Sequence, residues 1–456
     1  MHDVTPRDAG PWVRRLGPGI EARALAAARL IAERAADPAR VEEAVGLAAR
    51  QTRFPEAVHW DPVSLAQGST GQALLCAQLH SCFPGEGWDR AGHAHLSRSV
   101  AAVERRGGAP SGVFAGLSGV ALTAELLGGG RHYRSLRTVL DGHIAVACLA
   151  QAAALSARDA PSRAGGVPVS AFDLISGLSG IATYLLPPGT DRPPHPALPH
   201  VLRALVGLAL AEGPPPAWYT PAALLHDEDQ ARTYPLGNLN CGLAHGIPGP
   251  LALMALASRQ GVEVEGLTAA IRVLARWLVA HRENDAAGPN WPAVVPLVDG
   301  GHGPTEGRAD RPTRTAWCYG SPGIARALWL AGRALREEDL CCTAVEAMEA
   351  VYRRPVRERL IDSPTLCHGV AGLLQVTLRF ACDTGLPVFT AAAAELTEQI
   401  LAQVDPRRPM GIAAVEPGGN LVDQPGFLDG AGGVALVLLA AATAREPTWD
   451  RALALS

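Results

Sequence analysis

The chain is short of aromatic residues, of net charge and of long apolar runs. Aromatics make up 5% of its 456 residues, against 49 glycines, 37 prolines and 48% apolar residues overall. That composition suits small-residue helices packed closely and joined by Pro-rich loops, with enough apolar material for one large core. With a formal net charge of −4, nothing in the composition points to nucleic acid or an anionic membrane surface. No uninterrupted apolar run reaches the roughly 18 residues of a membrane span; the stretch Val434 to Ala442 is about half that, so no membrane insertion is expected. The start, MHDVTPRDAGPWVRRLG, has no apolar core of a signal peptide. Nine cysteines, an odd number, fit a reducing cytosol better than a disulfide framework. A cytoplasmic protein is expected.

Against these absences stands a repeated glycine step. Gly-x-x-Gly occurs at Gly68/Gly71, Gly116/Gly119, Gly177/Gly180, Gly246/Gly249, Gly320/Gly323, Gly369/Gly372 and Gly430/Gly433. Each step opens a short run that is apolar nearly all round, such as GVALTAELL or GVALVLLAA, as a helix buried on every side should be. Longer amphipathic segments precede the runs, over roughly 21–50, 92–106, 133–157, 197–211, 264–281, 336–353 and 388–404. In 264–281, Leu267, Ile271, Leu274, Leu278 and Val279 recur at helical spacing. The pattern predicts seven hairpins of an outer amphipathic helix followed by an inner apolar one. Such repeats stack as an open solenoid or close into a ring. Closure is favoured, because it brings all inner helix starts to one face. The whole chain, 1–456, is then one domain. Residues 283–313 form the longest aperiodic stretch, expected as a loop over the mouth of the ring with a short strand pair at Ala293–Val298.

Two of the glycine steps carry soft metal ligands. Trp317-Cys318-Tyr319-Gly320 and Cys367-His368-Gly369 supply two thiolates and an imidazole, the ligand types of zinc. Three ligands rather than four point to a catalytic ion with one position open. Partial positive charge at a helix start also favours a thiolate over a thiol. Cys76, Cys82, Cys148, Cys341, Cys342 and Cys382 lie within or beside apolar helical patterns and read as small core residues. His302, in Gly-His-Gly, reads as a loop residue rather than a fourth ligand.

Polar groups gather at the neighbouring steps. His245, in Asn240-Cys-Gly-Leu-Ala-His245-Gly246, occupies the place before the glycine that Tyr319 and His368 occupy in theirs. Asp173 lies four residues before Gly177, and Arg314 four before Cys318. Singly these have ordinary readings: a helix cap for Asp173, a carbonyl partner for His245, a solvated charge for Arg314. Together they put ionisable groups from adjacent repeats on one rim. The paired carboxylates of a glycosidase are missing, with only Asp173 and Asp429 as candidates.

With these motifs in this order, the chain resembles the LanC family, the lanthionine cyclases of class I lanthipeptide biosynthesis. The resemblance runs over essentially the whole chain and is weakest in the first 60 residues and over 283–313. It implies an all-α fold, an α/α toroid of seven inner and seven outer helices. It implies one zinc per chain, on Cys318, Cys367 and His368, and catalytic positions at Asp173, His245, Arg314 and Tyr319. No other cofactor is implied.

The implied chemistry is addition of a cysteine thiolate of a dehydrated precursor peptide, leader plus core, to a dehydroalanine or dehydrobutyrine, closing a thioether ring. A free thiol is only a few per cent ionised at pH 7, and zinc coordination removes the proton outright. The enolate formed must be protonated at the α-carbon, for which histidine, titrating in the neutral range, is suited; His245 is the expected acid. Asp173 would orient it or accept the thiol proton, and Arg314 would stabilise the enolate oxygen. Expected partners are the peptide, a lanthipeptide dehydratase and a transporter. Two other readings use the same residues: a peptide-binding scaffold with structural zinc, and an enzyme adding an external thiol such as glutathione to dehydroamino acids. A prenyl-diphosphate site would need a basic cluster, which the rim lacks.

Overall fold

A computed structural model describes residues 10–157, 165–187, 193–225, 227–298, 301–302 and 313–456. The chain divides into two compact units, one of residues 143–360 with 451–456, the other of 10–142 with 361–450. The segment expected as one outer helix over 21–50 is two, α1 (Pro18–Ala35) and α2 (Pro38–Gln51). The Asp37-Pro38 pair breaks it: a residue before proline avoids helical backbone, and the Asp37 carboxylate accepts the Ala39 N–H as a cap.

Inner and outer helices then alternate as the periodicity predicts. In the first half run α3 (Ser69–Cys82), α4 (Trp88–Arg106), α5 (Leu117–Gly128), α6 (Arg134–Ala157), α7 (Leu178–Leu185) and α8 (Leu198–Leu210). A short α9 (Glu228–Thr233) intervenes before α10 (Pro248–Arg259), α11 (Leu267–Ala280), α12 (Ser321–Leu335), α13 (Glu338–Arg353), α14 (Val370–Thr384), α15 (Pro387–Leu401) and α16 (Ala431–Ala442). The seven runs after the glycine steps are α3, α5, α7, α10, α12, α14 and α16. Every residue of α16 is buried. The outer α11 buries only Leu267, Ala270, Ile271, Leu274, Ala275 and Leu278, while Val279, expected on that face, is half-buried.

Pairing differs from the expectation. Several inner helices pack chiefly on the outer helix that follows them, α3 on α4, α12 on α13 and α14 on α15, and the last, α16, packs on α1; α11 lies against both α10 and α12, and α5 against the preceding α4. The short turn is therefore at the inner helix's C-terminal end, and the long polar loop leads into its N-terminus. Inner helices also pack side by side: α7–α10–α12 in one unit and α14–α16–α3–α5 in the other.

The glycines permit that side-by-side contact. A Cβ on Gly119 would lie 2.1 Å from the Val113 carbonyl oxygen and 3.1 Å from the Leu65 Cβ of the neighbouring repeat. One on Gly323 would lie 2.4 Å from the Trp317 oxygen and 2.7 Å from the Leu243 Cβ. Loop, helix and neighbouring loop close on a point where no side chain fits. Backbone hydrogen bonds join the same loops. In one unit Leu174 N–H donates to Ala244 O and Ala244 N–H to Cys318 O, at 3.1 and 3.3 Å. In the other, Cys367 N–H donates to Leu428 O, Leu428 N–H to Ala66 O and Ala66 N–H to Phe114 O, at 2.9, 3.1 and 3.1 Å.

Short strands decorate the loops. β1 (Asn238–Asn240) pairs antiparallel with β4 (Val294–Val298), Leu239 opposite Val295, and β4 continues to β5 (Gly301–His302). β2 (Glu283–Asp285) and β3 (Gly288–Asn290) form a hairpin, as do β6 (Ala414–Glu416) and β7 (Asn420–Val422). The strand pair expected within Ala293–Val298 is thus a single strand tied to the segment leading into His245. Residues 299–300 and 303–312, and the His302 side chain, lie outside the described residues. One helix, α6, is long and apolar enough by length and composition to cross a membrane, although no apolar run of that length occurs in it. Gly142, His143, Gln151 and Ser156 interrupt its apolar run without adding charge. Its buried residues, Leu140, Ile144, Cys148, Ala152 and Leu155, form the stripe of an outer helix.

Two glycine substitutions test this packing. Gly119→Ala should destabilise by about 1–3 kcal/mol, the cost of overpacking. Gly142→Ala, exposed in α6 with open space around the added carbon, should stabilise by about 0.4–1 kcal/mol. Urea unfolding midpoints read both. Equal midpoints for the two variants would show that the glycine step is not a steric requirement.

Candidate functional site

The site residues of the first unit stand on the loops that enter α7, α10 and α12. The loop before α7 is built around Asp173, whose side chain is 1% exposed. Its Oδ1 accepts the N–H groups of Ser176 and Gly177, at 2.8 and 2.7 Å. Its Oδ2 lies 2.7 Å from His245 Nδ1. The capping role and the functional one, alternatives in the sequence, are thus held by one carboxylate with two oxygens. A carboxylate only accepts, so His245 carries its proton on Nδ1 and presents Nε2 elsewhere. The imidazole is 38% exposed, so a buried anion positions an accessible ring.

The loop before α12 brings three more residues to the same unit. Trp317 is fully buried and its indole N–H donates to Leu453 O at 3.1 Å, which pins the backbone at Cys318. The Cys318 side chain is buried, and its carbonyl accepts from Ala244, the residue before His245. The Tyr319 ring centroid lies 6.3 Å from that of His245. It rests on Gly242: a Cβ there would come within 2.6 Å of the Tyr319 ring and 2.7 Å of the Cys318 oxygen. Arg314 is exposed at the start of this loop; its carbonyl oxygen faces Gly320, which has φ +96° and would place a Cβ 1.7 Å from that oxygen.

The second unit carries Cys367 and His368 on the loop before α14, both half-buried. His368 Nδ1 lies 3.4 Å from Asp429 Oδ1. A histidine held by a carboxylate at one nitrogen offers the other to a ligand, the arrangement metal-binding imidazoles use. Asp429 stands before Gly430 as His368 stands before Gly369, Tyr319 before Gly320 and His245 before Gly246. Cys318 and Cys367 likewise share the place two before the glycine, the residue whose backbone enters the loop-to-loop hydrogen bonds. The donor set of Cys318, Cys367 and His368, two sulfurs and one nitrogen, fits zinc.

Of the cysteines expected in the core, Cys76, Cys148, Cys341 and Cys382 are buried, whereas Cys82 and Cys342 are half-buried. Burial pushes the Cys76 thiol up to about 12, so it stays neutral. Cys241, beside the site in sequence, is wholly buried and also pushed up to about 12, by burial and then by the charge of Glu283. Sequence reading passed over Asn240 and Gly242. Asparagine two residues before a glycine is the mark of a side chain folding back on its own backbone, and that signal was present in Asn240-Cys241-Gly242.

Asp173 therefore has two separable duties. Asp173→Ala leaves two buried loop N–H groups without acceptors and should cost about 1–3 kcal/mol of stability. Asp173→Asn keeps the acceptor oxygen for both and should cost distinctly less, while turning an N–H toward His245 Nδ1. Thermal melts of the two variants check this, and equal losses would separate the carboxylate from the loop.

Comparison with known proteins places these residues in context. The family described as lanthionine synthetase C-like protein matches residues 59–454. The nisin biosynthesis protein NisC of Lactococcus lactis subsp. lactis is 26% identical over 273 residues, a stretch that takes in 59% of this chain and 60% of the relative. A solved structure titled nisin cyclase aligns with a TM-score of 0.73 at 23% identity, covering 91% of this chain and 96% of its own. That likeness shows the fold, and the all-α, α/α-toroid class expected from the sequence holds. The match over 59–454 leaves only the first 58 residues and the last two outside: the chain belongs to the lanthionine synthetase C-like family.

Proposed function

We propose that this protein is a zinc-dependent lanthionine cyclase, closing thioether rings in a dehydrated precursor peptide. The observation that carries the reading is the 2.7 Å contact between the buried Asp173 carboxylate and the accessible His245 ring. It supplies an oriented proton carrier on the loop next to that of Cys318. Family membership and the similarity to a nisin biosynthesis protein support the same reaction.

Cys318, Cys367 and His368 would hold one zinc per chain. Zinc, when bound, supplies the charge that keeps the incoming peptide thiol as a thiolate. The peptide sulfur forms a bond to the β-carbon of the dehydroamino acid as the carbon–carbon double bond opens, and the electron pair moves to the α-carbon and its carbonyl. His245 delivers a proton from Nε2 to the α-carbon, while Asp173 holds Nδ1–H and stabilises the ring's charged form before transfer. Arg314 contributes positive charge toward the enolate. The thiol proton lost equals the carbon proton gained, so the peptide's mass is unchanged. A dehydratase must act on the peptide first, and a transporter would take the product. We place the reaction in the cytoplasm, consistent with nine cysteines of which none is in a disulfide.

The test combines elemental analysis with a trapping assay. Wild type should carry about one zinc per chain, and Cys318→Ala and Cys367→Ala should lose most of it. A synthetic peptide with one dehydroalanine and one cysteine should become resistant to N-ethylmaleimide without a change in mass. His245→Asn should keep its zinc and slow this by about 10²–10⁴-fold, the usual contribution of a positioned acid. Wild type without zinc, or His245→Asn at full rate, overturns the assignment. A mass increment with glutathione present and no ring would redirect it to an external thiol.

A further inference from the structure

Asn240 lies at the end of β1, five residues before His245, and is half-buried. Its Oδ1 is 2.9 Å from the backbone nitrogen of Gly242, and its Nδ2 is 3.0 Å from the Tyr319 hydroxyl oxygen. Donor and acceptor roles along this chain are forced. The Gly242 N–H can only donate, so the Asn240 atom facing it is the carbonyl oxygen. The amide nitrogen then faces Tyr319, and an amide nitrogen can only donate. Tyr319 therefore accepts from Asn240, and its own proton points away from Asn240.

Three further contacts hold the arrangement rigid. Gly242 has no side chain, and the Tyr319 ring fills that space, with a virtual Cβ only 2.6 Å from it. β1 is paired to β4, with Asn240 opposite Val294. Cys241 N–H donates to Ala293 O at 3.0 Å. The direction of the Tyr319 hydroxyl is thus set before any substrate arrives, as a preorganised donor requires.

We propose that Asn240 is a positioning residue that fixes the Tyr319 hydroxyl as a donor to the carbonyl oxygen conjugated to the dehydroamino acid's double bond. This deepens the cyclase reading and rests on it. The hydrogen bond to that oxygen draws electrons from the β-carbon under attack and stabilises the enolate that follows. Tyr319 keeps its proton throughout, and the α-carbon's proton comes from His245. Asn240 acts only through Tyr319.

Asn240→Asp separates this role from a structural one. The carboxylate still accepts the Gly242 N–H, so the loop keeps its turn, but its second oxygen accepts from Tyr319 and turns the hydroxyl away from substrate. The variant should keep wild-type zinc content and melting temperature. Its turnover on the dehydroalanine–cysteine peptide should fall roughly 10²-fold, the loss typical of one oxyanion donor, with KM little changed. Tyr319→Phe should fall as far, and the double variant no further. A second readout needs no turnover. The chain has five asparagines, at 238, 240, 284, 290 and 420, so selective ¹⁵N-asparagine labelling gives five side-chain amide pairs. The pair missing from Asn240→Asp must shift in Tyr319→Phe. An unshifted pair overturns the positioning role, and so does wild-type turnover in Asn240→Asp. A wild type that carries zinc and leaves the peptide open sinks the cyclase reading itself, a result distinct from either.

Discussion

The close approach of loop and helix at each glycine step is the constraint on which the other features rest. A carbonyl oxygen of the incoming loop and a side chain of the neighbouring repeat occupy the place a Cβ would take, as at Gly119 and Gly323. Because nothing separates them, neighbouring loops come near enough to share backbone hydrogen bonds, such as Ala244 N–H to Cys318 O and Cys367 N–H to Leu428 O. Those bonds in turn give equivalent loop positions equivalent surroundings. Except at Gly177, where Leu174 three places before takes the part, the residue two before the first glycine enters the hydrogen-bonded contact, and the residue one before it stands next to the helix start. The chemistry-bearing residues are confined to these two places and to the loop turns behind them.

Within that frame, most polar atoms of the first unit's site answer two demands. Asp173 caps its own loop with one oxygen and aligns His245 with the other. Asn240 closes its own turn with its oxygen and meets Tyr319 with its nitrogen. Such doubling means that the groups are oriented by the same bonds that hold the loops, and need little rearrangement when a peptide arrives. In the second unit Asp429 lies near His368 at a longer 3.4 Å, with a more exposed carboxylate than Asp173.

The order of the helices was legible almost throughout. The amphipathic segments at 133–157, 197–211 and 264–281 fall within a few residues of α6, α8 and α11. The exception is 21–50, where apolar spacing runs on through the Asp37-Pro38 pair, a local stop that spacing does not report. The packing of α3, α12 and α14 on the outer helix that follows is not legible in the spacing, which shows which face is buried and not what buries it. The strand β4 has a local partner in β5, as a local pair requires, and also pairs with β1 some fifty residues earlier, which the local pattern does not report. The importance of Asn240 lies in its contact with Tyr319, 79 residues away, which no local pattern reports.

By itself the sequence determined which segments are helical, which helices are buried all round, and where the unusual residues concentrate. These follow from periodicity, from the glycine that must open each inner helix, and from ligand types that have few other uses together. The tertiary structure decided which residue meets which. The Asp173–His245 pair, the donor sense of the Asn240–Tyr319 contact and the seating of Tyr319 on Gly242 all join separate loops. The bond directions depend on packing between repeats, and no spacing along the chain encodes a contact whose partners are brought together only by helices closing on glycine.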